Sequence, residues 1–99
     1  MAAFGIERDG EDRLRVSGEL GFATAAAALH AGFAELASQR EWTVDLGRVD
    51  SGDSAGLAVL VEWLAFARAR GGAVRYENVP AQMLAIARIS ELEDLLLAR

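Results

Sequence analysis

Cysteine and lysine are missing from this 99-residue chain, histidine and proline occur once each, and no long uninterrupted apolar run is present. Without cysteine there are no disulfides, thiolate nucleophiles or thiolate metal sites. The lone histidine, His30, cannot build a histidine-rich metal centre. With every basic residue an arginine, Schiff-base chemistry and a phosphate-loop lysine are also excluded. Charged residues interrupt each apolar stretch before it reaches membrane-spanning length, so a soluble protein without direct membrane insertion is expected. Residues Met1 to Asp9 lack a basic start, an apolar stretch and a small-residue cleavage site, which points to a cytoplasmic location.

The formal charge is -5 and the ten arginines are scattered. Nucleic-acid binding needs cations gathered on one face, and docking on anionic headgroups needs a basic surface. Neither is present, which leaves a protein partner. At this length the chain forms one domain, 1-99, around one core.

Phe4 to Arg8 and Arg13 to Ser17 alternate apolar and polar residues around the turn residues Asp9-Gly10-Glu11-Asp12, predicting an N-terminal β-hairpin. Phe22, Ala26, Leu29, Phe33 and Leu36 recur at helical spacing, with Thr24 as N-cap and an end near Gln39. Trp42 to Leu46 reads as a short strand, and the polar stretch Arg48 to Asp53 leads into a second helix from about Ser54 to Arg70, stopped by Gly71-Gly72. Ala73 to Tyr76 reads as a strand. Pro80, at a first helical position, opens a helix to about Arg88. Ser90 and Glu93 form a capping-box pattern for a last helix, Glu91 to Ala98. Helices between the later strands require parallel crossovers, so the fold class is an α/β sandwich: a small mixed sheet of about four strands covered by about four helices.

Leu57, Leu60, Val61 and Leu64 form the stripe that the second helix needs to cover a sheet. Val59, Trp63 and Phe66 form another apolar stripe near the opposite side. Either another helix of the domain or a partner must cover it, and aromatic enrichment at interface cores favours a partner. The three side chains supply about 1.5 to 3 kcal/mol each. Association costs about 4 to 15 kcal/mol. The neighbouring loop, with Ser51, Asp53 and Ser54, must therefore add contacts. An uncovered stripe also predicts weak self-association.

Ser54 has three readings: a helix cap, a partner contact or a phosphate acceptor beside Asp50 and Asp53. Asp45, Asp50 and Asp53 match no metal-binding loop and read as turn and capping residues. His30 is given no role. Glu91, Glu93 and Asp94 read as the solvated first turn of the last helix. Arg68 and Arg70 suit a helix C-terminus or the rim of an interface around Trp63. No convergent acid and base groups form a catalytic site, and no cofactor is expected.

Val44-Asp45-Leu46, followed by Val49-Asp50-Ser51-Gly52-Asp53-Ser54-Ala55-Gly56-Leu57, resembles the signature of STAS domains. Asn78-Val79-Pro80 with its following helix, Ile89-Ser90-Glu91-Leu92 and Gly18-Glu19-Leu20 are similar to other parts of the family, so the resemblance spans nearly the whole chain. It implies a non-enzymatic binding module. In anti-sigma-factor antagonists, the serine matching Ser54 is phosphorylated by a partner kinase. In MlaB-type STAS subunits of phospholipid-transport ABC systems, which maintain lipid asymmetry, the position is usually threonine and the same surface docks on the MlaF-type ATPase. The short chain and the two-faced second helix look MlaB-like; Ser54 in place of threonine departs from that pattern and keeps the antagonist alternative.

Overall fold

The computed structural model describes residues 3–97. Its elements are β1 (Phe4–Arg8), β2 (Arg13–Leu20), α1 (Ala25–Leu36), β3 (Glu41–Gly52), α2 (Ser54–Ala69), β4 (Ala73–Glu77), α3 (Ala81–Ile89) and α4 (Glu93–Leu97). The strands form one sheet in chain order, with β1 antiparallel to β2 and the other two pairings parallel. This is the mixed α/β architecture expected from the sequence.

Strand alternation separates the faces of the sheet. Leu14 and Val16 of β2, Trp42, Val44 and Leu46 of β3, and Val74 and Tyr76 of β4 are buried. Their neighbours on the other face are polar and pair with one another: Arg13 bonds Glu77 at 2.9 Å and lies 3.8 Å from Asp45, while Arg15 bonds Asp9 at 2.9 Å. Such solvated pairs stabilise weakly, but they keep this face wet.

Two strands are longer than the sequence pattern indicates. β2 continues through Gly18 to Leu20, and β3 continues through Arg48, Val49, Asp50 and Ser51 to Gly52. Register shifts between Arg15 and Ser17, and again between Gly18 and Glu19, break the period-two pattern by which a strand is recognised. The outer part of β3 therefore has the pattern of a polar lead-in, although it pairs with Ser17 to Leu20.

The helix ends also differ. α1 stops at Leu36, where Ala37 caps it, rather than near Gln39. Its buried face is Ala28, Gly32 and Leu36, while Phe22 lies before the helix and is 86% exposed. Thr24 stands at the N-cap position, but its hydroxyl donates to Glu19 O at 2.9 Å instead of capping the helix. Pro80 is the N-cap of α3 rather than its first helical residue. The Ser90–Glu93 capping box does not form: Ser90 closes α3, Glu91 takes a left-handed φ of 59°, and Glu93 instead accepts from Arg88 Nε at 2.7 Å. α4 begins at Glu93, and the expected end at Ala98 lies outside the described residues.

The second apolar stripe of α2 is covered by the domain itself. Val59 is 2% exposed and Trp63 1%, and both belong to the same core cluster as the sheet-facing side chains. Phe66 is half-buried and stacks on Phe33 of α1, with ring centroids 4.7 Å apart. Gly32 makes the close approach possible, since a Cβ there would overlap the Trp63 indole. The expectation that a partner covers this stripe is corrected: α1 does so, and the ground for self-association through it disappears.

Candidate functional site

The carboxyl ends of β2 and β3 lie side by side, with Glu19 opposite Ser51 and Leu20 opposite Gly52. In open parallel sheets this is the end at which connecting loops gather and sites are built. Two connections leave here, Gly21 to Thr24 into α1 and Asp53 into α2.

Asp53 holds the two together. It is the N-cap of α2, its backbone extended and its Oδ1 accepting from Ala55 N at 2.9 Å and Gly56 N at 3.0 Å. Its Oδ2 accepts from Phe22 N at 3.1 Å. The hydrogen bonds from Gly56 and then Phe22, opposed only in part by desolvation, hold its carboxyl below the ordinary aspartate range. Gly56 lets the helix begin directly against the end of β2, because a Cβ there would overlap the Leu20 carbonyl. The D-S-x-G pattern thus has a structural meaning: the aspartate caps, and the glycine permits contact.

Ser54 is consequently not the N-cap. It is the first residue of the helix and is exposed, as is Ser51. Along the outer side of α2, Ala58, Glu62 and Ala65 are exposed as well. Ser51, Asp53 and Ser54 are therefore brought together at an accessible corner, whereas Val59, Trp63 and Phe66 lie in or against the seam with α1.

Thr24 and Asp53 brace the adjoining loop. The Thr24 hydroxyl accepts from Gly21 N at 3.0 Å, and Thr24 N donates to Gly21 O at 3.0 Å. This tight turn directs the Phe22 side chain into solvent. Helical spacing puts Phe22 in line with the apolar stripe of the first helix, whereas the structure leaves it exposed. The signal against that was Thr24: an N-cap there puts Phe22 two residues outside the helix, where helical spacing no longer applies.

Asp45, like Asp53, is held by hydrogen bonds. Asp45 accepts from Asn78 Nδ2 and Gly47 N, each at 2.9 Å, and these bonds, the first foremost, lower its pKa. Among the described residues, no three carboxylate or histidine side chains converge as a metal ion would require. His30 is exposed on α1. Arg70 donates to Ala37 O at 3.1 Å and lies 5.5 Å from the Phe66 ring centroid, so it ties the α1–α2 seam together.

The family model Mlab, STAS domain, matches residues 4–98. No curated protein matches the chain in sequence. Among solved structures, a putative anti-sigma factor antagonist from Thermotoga maritima aligns with a TM-score of 0.76 at 20% identity, covering 95% of this chain and 83% of that one. The anti-sigma factor antagonist SpoIIAA in its unphosphorylated form aligns at 0.71 and 16%, covering 92% and 83%. A sulfate transporter family protein from Wolinella succinogenes aligns at 0.67 and 15%, covering 86% and 70%. At these identities the structural likeness establishes the fold, and the family model, spanning nearly the full sequence, establishes membership: the chain is a STAS-domain protein of the MlaB type.

Proposed function

We propose that this protein is a non-enzymatic STAS subunit that binds the cytoplasmic ATPase of an ABC-type phospholipid transporter and stabilises or regulates it, using the surface at the start of α2. The reading places it in the cytoplasm, held at the membrane through the transporter. The observation that carries it is the accessible corner formed by Ser51, Asp53 and Ser54 in a chain of MlaB type. Ser54 offers a free contact surface because Asp53 supplies the cap. Val59, Trp63 and Phe66 support the site from behind by fixing α2 on α1.

The test is retention of the purified ATPase subunit on the immobilised protein. The native chain is expected to retain it, and Ser54→Asp, which puts a charged side chain on the docking surface, to weaken binding about tenfold or more. A negative charge in the first helical turn is compatible with the fold, so the loss is a docking effect. Failure of the native chain to retain the ATPase overturns the reading.

A second reading rests on the exposed Ser54 hydroxyl at a helix start, where added phosphate is compatible with the helix dipole. SpoIIAA, with the same fold, has been solved in both unphosphorylated and phosphorylated forms. On this reading the protein is an anti-sigma-factor antagonist whose partner is an anti-sigma factor kinase. Stoichiometric phosphate on Ser54 after incubation with cell extract and ATP, together with no ATPase retention, would select it.

A further inference from the structure

β1 and β4 are the two edges of the sheet. An edge strand presents backbone donors and acceptors that a further strand can take up. At β1, Glu19 N donates to Ala3 O at 2.7 Å and Asp9 N donates to Arg13 O at 2.8 Å, in a ladder that sets Phe4 opposite Gly18. Antiparallel alternation therefore turns the amides and carbonyls of Gly5 and Glu7 toward β2 and those of Phe4, Ile6 and Arg8 away from it. Among the described residues nothing bonds these outward groups. Phe4 and Ile6 are only partly buried against the core, and the strand contains no proline. The Arg8 guanidinium is drawn back onto its own chain, 3.0 Å from Ser38 Oγ and 4.9 Å from the Trp42 ring centroid.

The residues of each edge decide which of them can pair with itself. Outward groups must meet outward groups, so the permitted antiparallel registers differ by two residues. Pairing over the full length of β1 sets Phe4 opposite Arg8 of a second copy, Gly5 opposite Glu7, and Ile6 opposite Ile6. No like charges face one another in this register, and the two isoleucines meet at its centre. The two Glu7 carboxylates lie on the diagonal, each with its own Arg15 at 3.9 Å to offset the repulsion. β4 behaves differently. Ala73 N donates to Arg40 O at 2.9 Å, which leaves Val74 and Tyr76 as its outward residues. Full-length self-pairing there puts Arg75 opposite Arg75, and the two-residue slip that avoids this leaves only part of the strand paired.

We propose that β1 is a self-association edge: a second copy of this chain adds its own β1 in antiparallel register, about a twofold axis at Ile6, and the two four-stranded sheets become one. The occupant is another copy because the strand is its own antiparallel complement in length, charge and side-chain size. Such twofold pairing closes on itself and does not propagate into filaments. A five-residue ladder buries far less than the roughly 1,200 Å² at which stable interfaces begin, so the dimer is weak, with a dissociation constant on the order of 0.1 mM. The assignment is independent of the proposed ATPase partner.

The experiment follows mass by sedimentation and backbone amide exchange by NMR on the native chain, from about 10 μM to about 1 mM. The mass is expected to rise from 10.6 kDa toward twice that value. Over the same range the Ile6 and Arg8 amides are expected to slow in exchange by about fivefold, while Gly5 and Glu7, already bonded to β2, are protected throughout. Ile6→Pro removes the central outward amide without breaking a bond to β2, and is expected to stay at monomer mass with its circular dichroism retained. A native mass that stays at 10.6 kDa to about 1 mM overturns the proposal. So does association in which the Ile6 and Arg8 amides exchange as fast as in dilute solution, since another surface then joins the copies. A folded Ile6→Pro that still dimerises overturns it as well; if that variant does not fold, the alternating exchange pattern of the native chain decides.

Discussion

Asp53 shows how a single residue serves two loops. Replacing it with alanine removes the acceptor for two α2 amides and for Phe22 N–H, and should destabilise the protein by about 1 to 2 kcal/mol in urea melts. Its pH behaviour follows from the same bonds. The folded-state pKa lies below the unfolded value, so the unfolded chain binds the proton more tightly. The stabilisation is fully present above the unfolded pKa, about 3.9, and is lost as pH falls through the lower folded pKa. Asp53→Asn should therefore flatten the decline in stability below about pH 4, measured by melts across that range. Asp45, depressed by Asn78 and Gly47, should retain its own share of the slope. That aspartates here cap and turn the backbone was legible from the sequence; which residue caps was not. Asp53 and Ser54 are adjacent residues of the types favoured at N-caps, and only the extended backbone at Asp53 and its bonds to Ala55 and Gly56 distinguish them.

At the scale of elements, α2 is a helix buried on two sides. Leu57, Leu60 and Leu64 on one side and Val59 and Trp63 on the other are all buried in the same cluster, and α1 meets the second side at Trp63 and Phe66. The Trp63 indole N–H is buried there without a hydrogen-bond partner among the described residues, and the seam relies on shape and apolar contact. Gly32→Ala should force the indole or α1 to move and cost about 1 to 3 kcal/mol, read from the denaturation midpoint. Loss of ATPase binding in proportion to that destabilisation would mark an effect through folding. For the same reason Trp63→Glu does not report on docking: it places a carboxylate inside the seam. Exposed positions such as Ser54 and Phe22 are where docking can be probed with the fold intact. Helical periodicity revealed both stripes of α2 correctly, yet periodicity reports only that a face is apolar. Whether α1 or another chain covers it depends on whether Gly32 and Phe33 of α1 meet Trp63 and Phe66 across more than thirty residues of sequence.

For the whole molecule, the buried side chains of sheet and helices form a single cluster, from Leu14 to Leu96. Tyr76 binds β4 to α2, its buried hydroxyl donating to Leu60 O at 2.6 Å, and burial pushes its pKa upward. A domain with one continuous core should unfold in one step. Indole fluorescence, which reports Trp42 on the buried face of β3 and Trp63 in the helical seam, should give the same urea midpoint as far-ultraviolet circular dichroism; separated midpoints would show that the α1–α2 layer opens independently. The sequence by itself determined the order of strands and helices, the mixed sheet and the family, because local alternation, helical spacing, turn glycines and the D-S-x-G pattern are written within a few residues of one another. The tertiary structure decided which apolar stripe is covered, where β3 ends and which side chains remain outside. Those outcomes depend on bulged pairing between β2 and β3, on Gly32 meeting Trp63, and on Asp53 reaching back to Phe22, all of them contacts between residues distant in the chain.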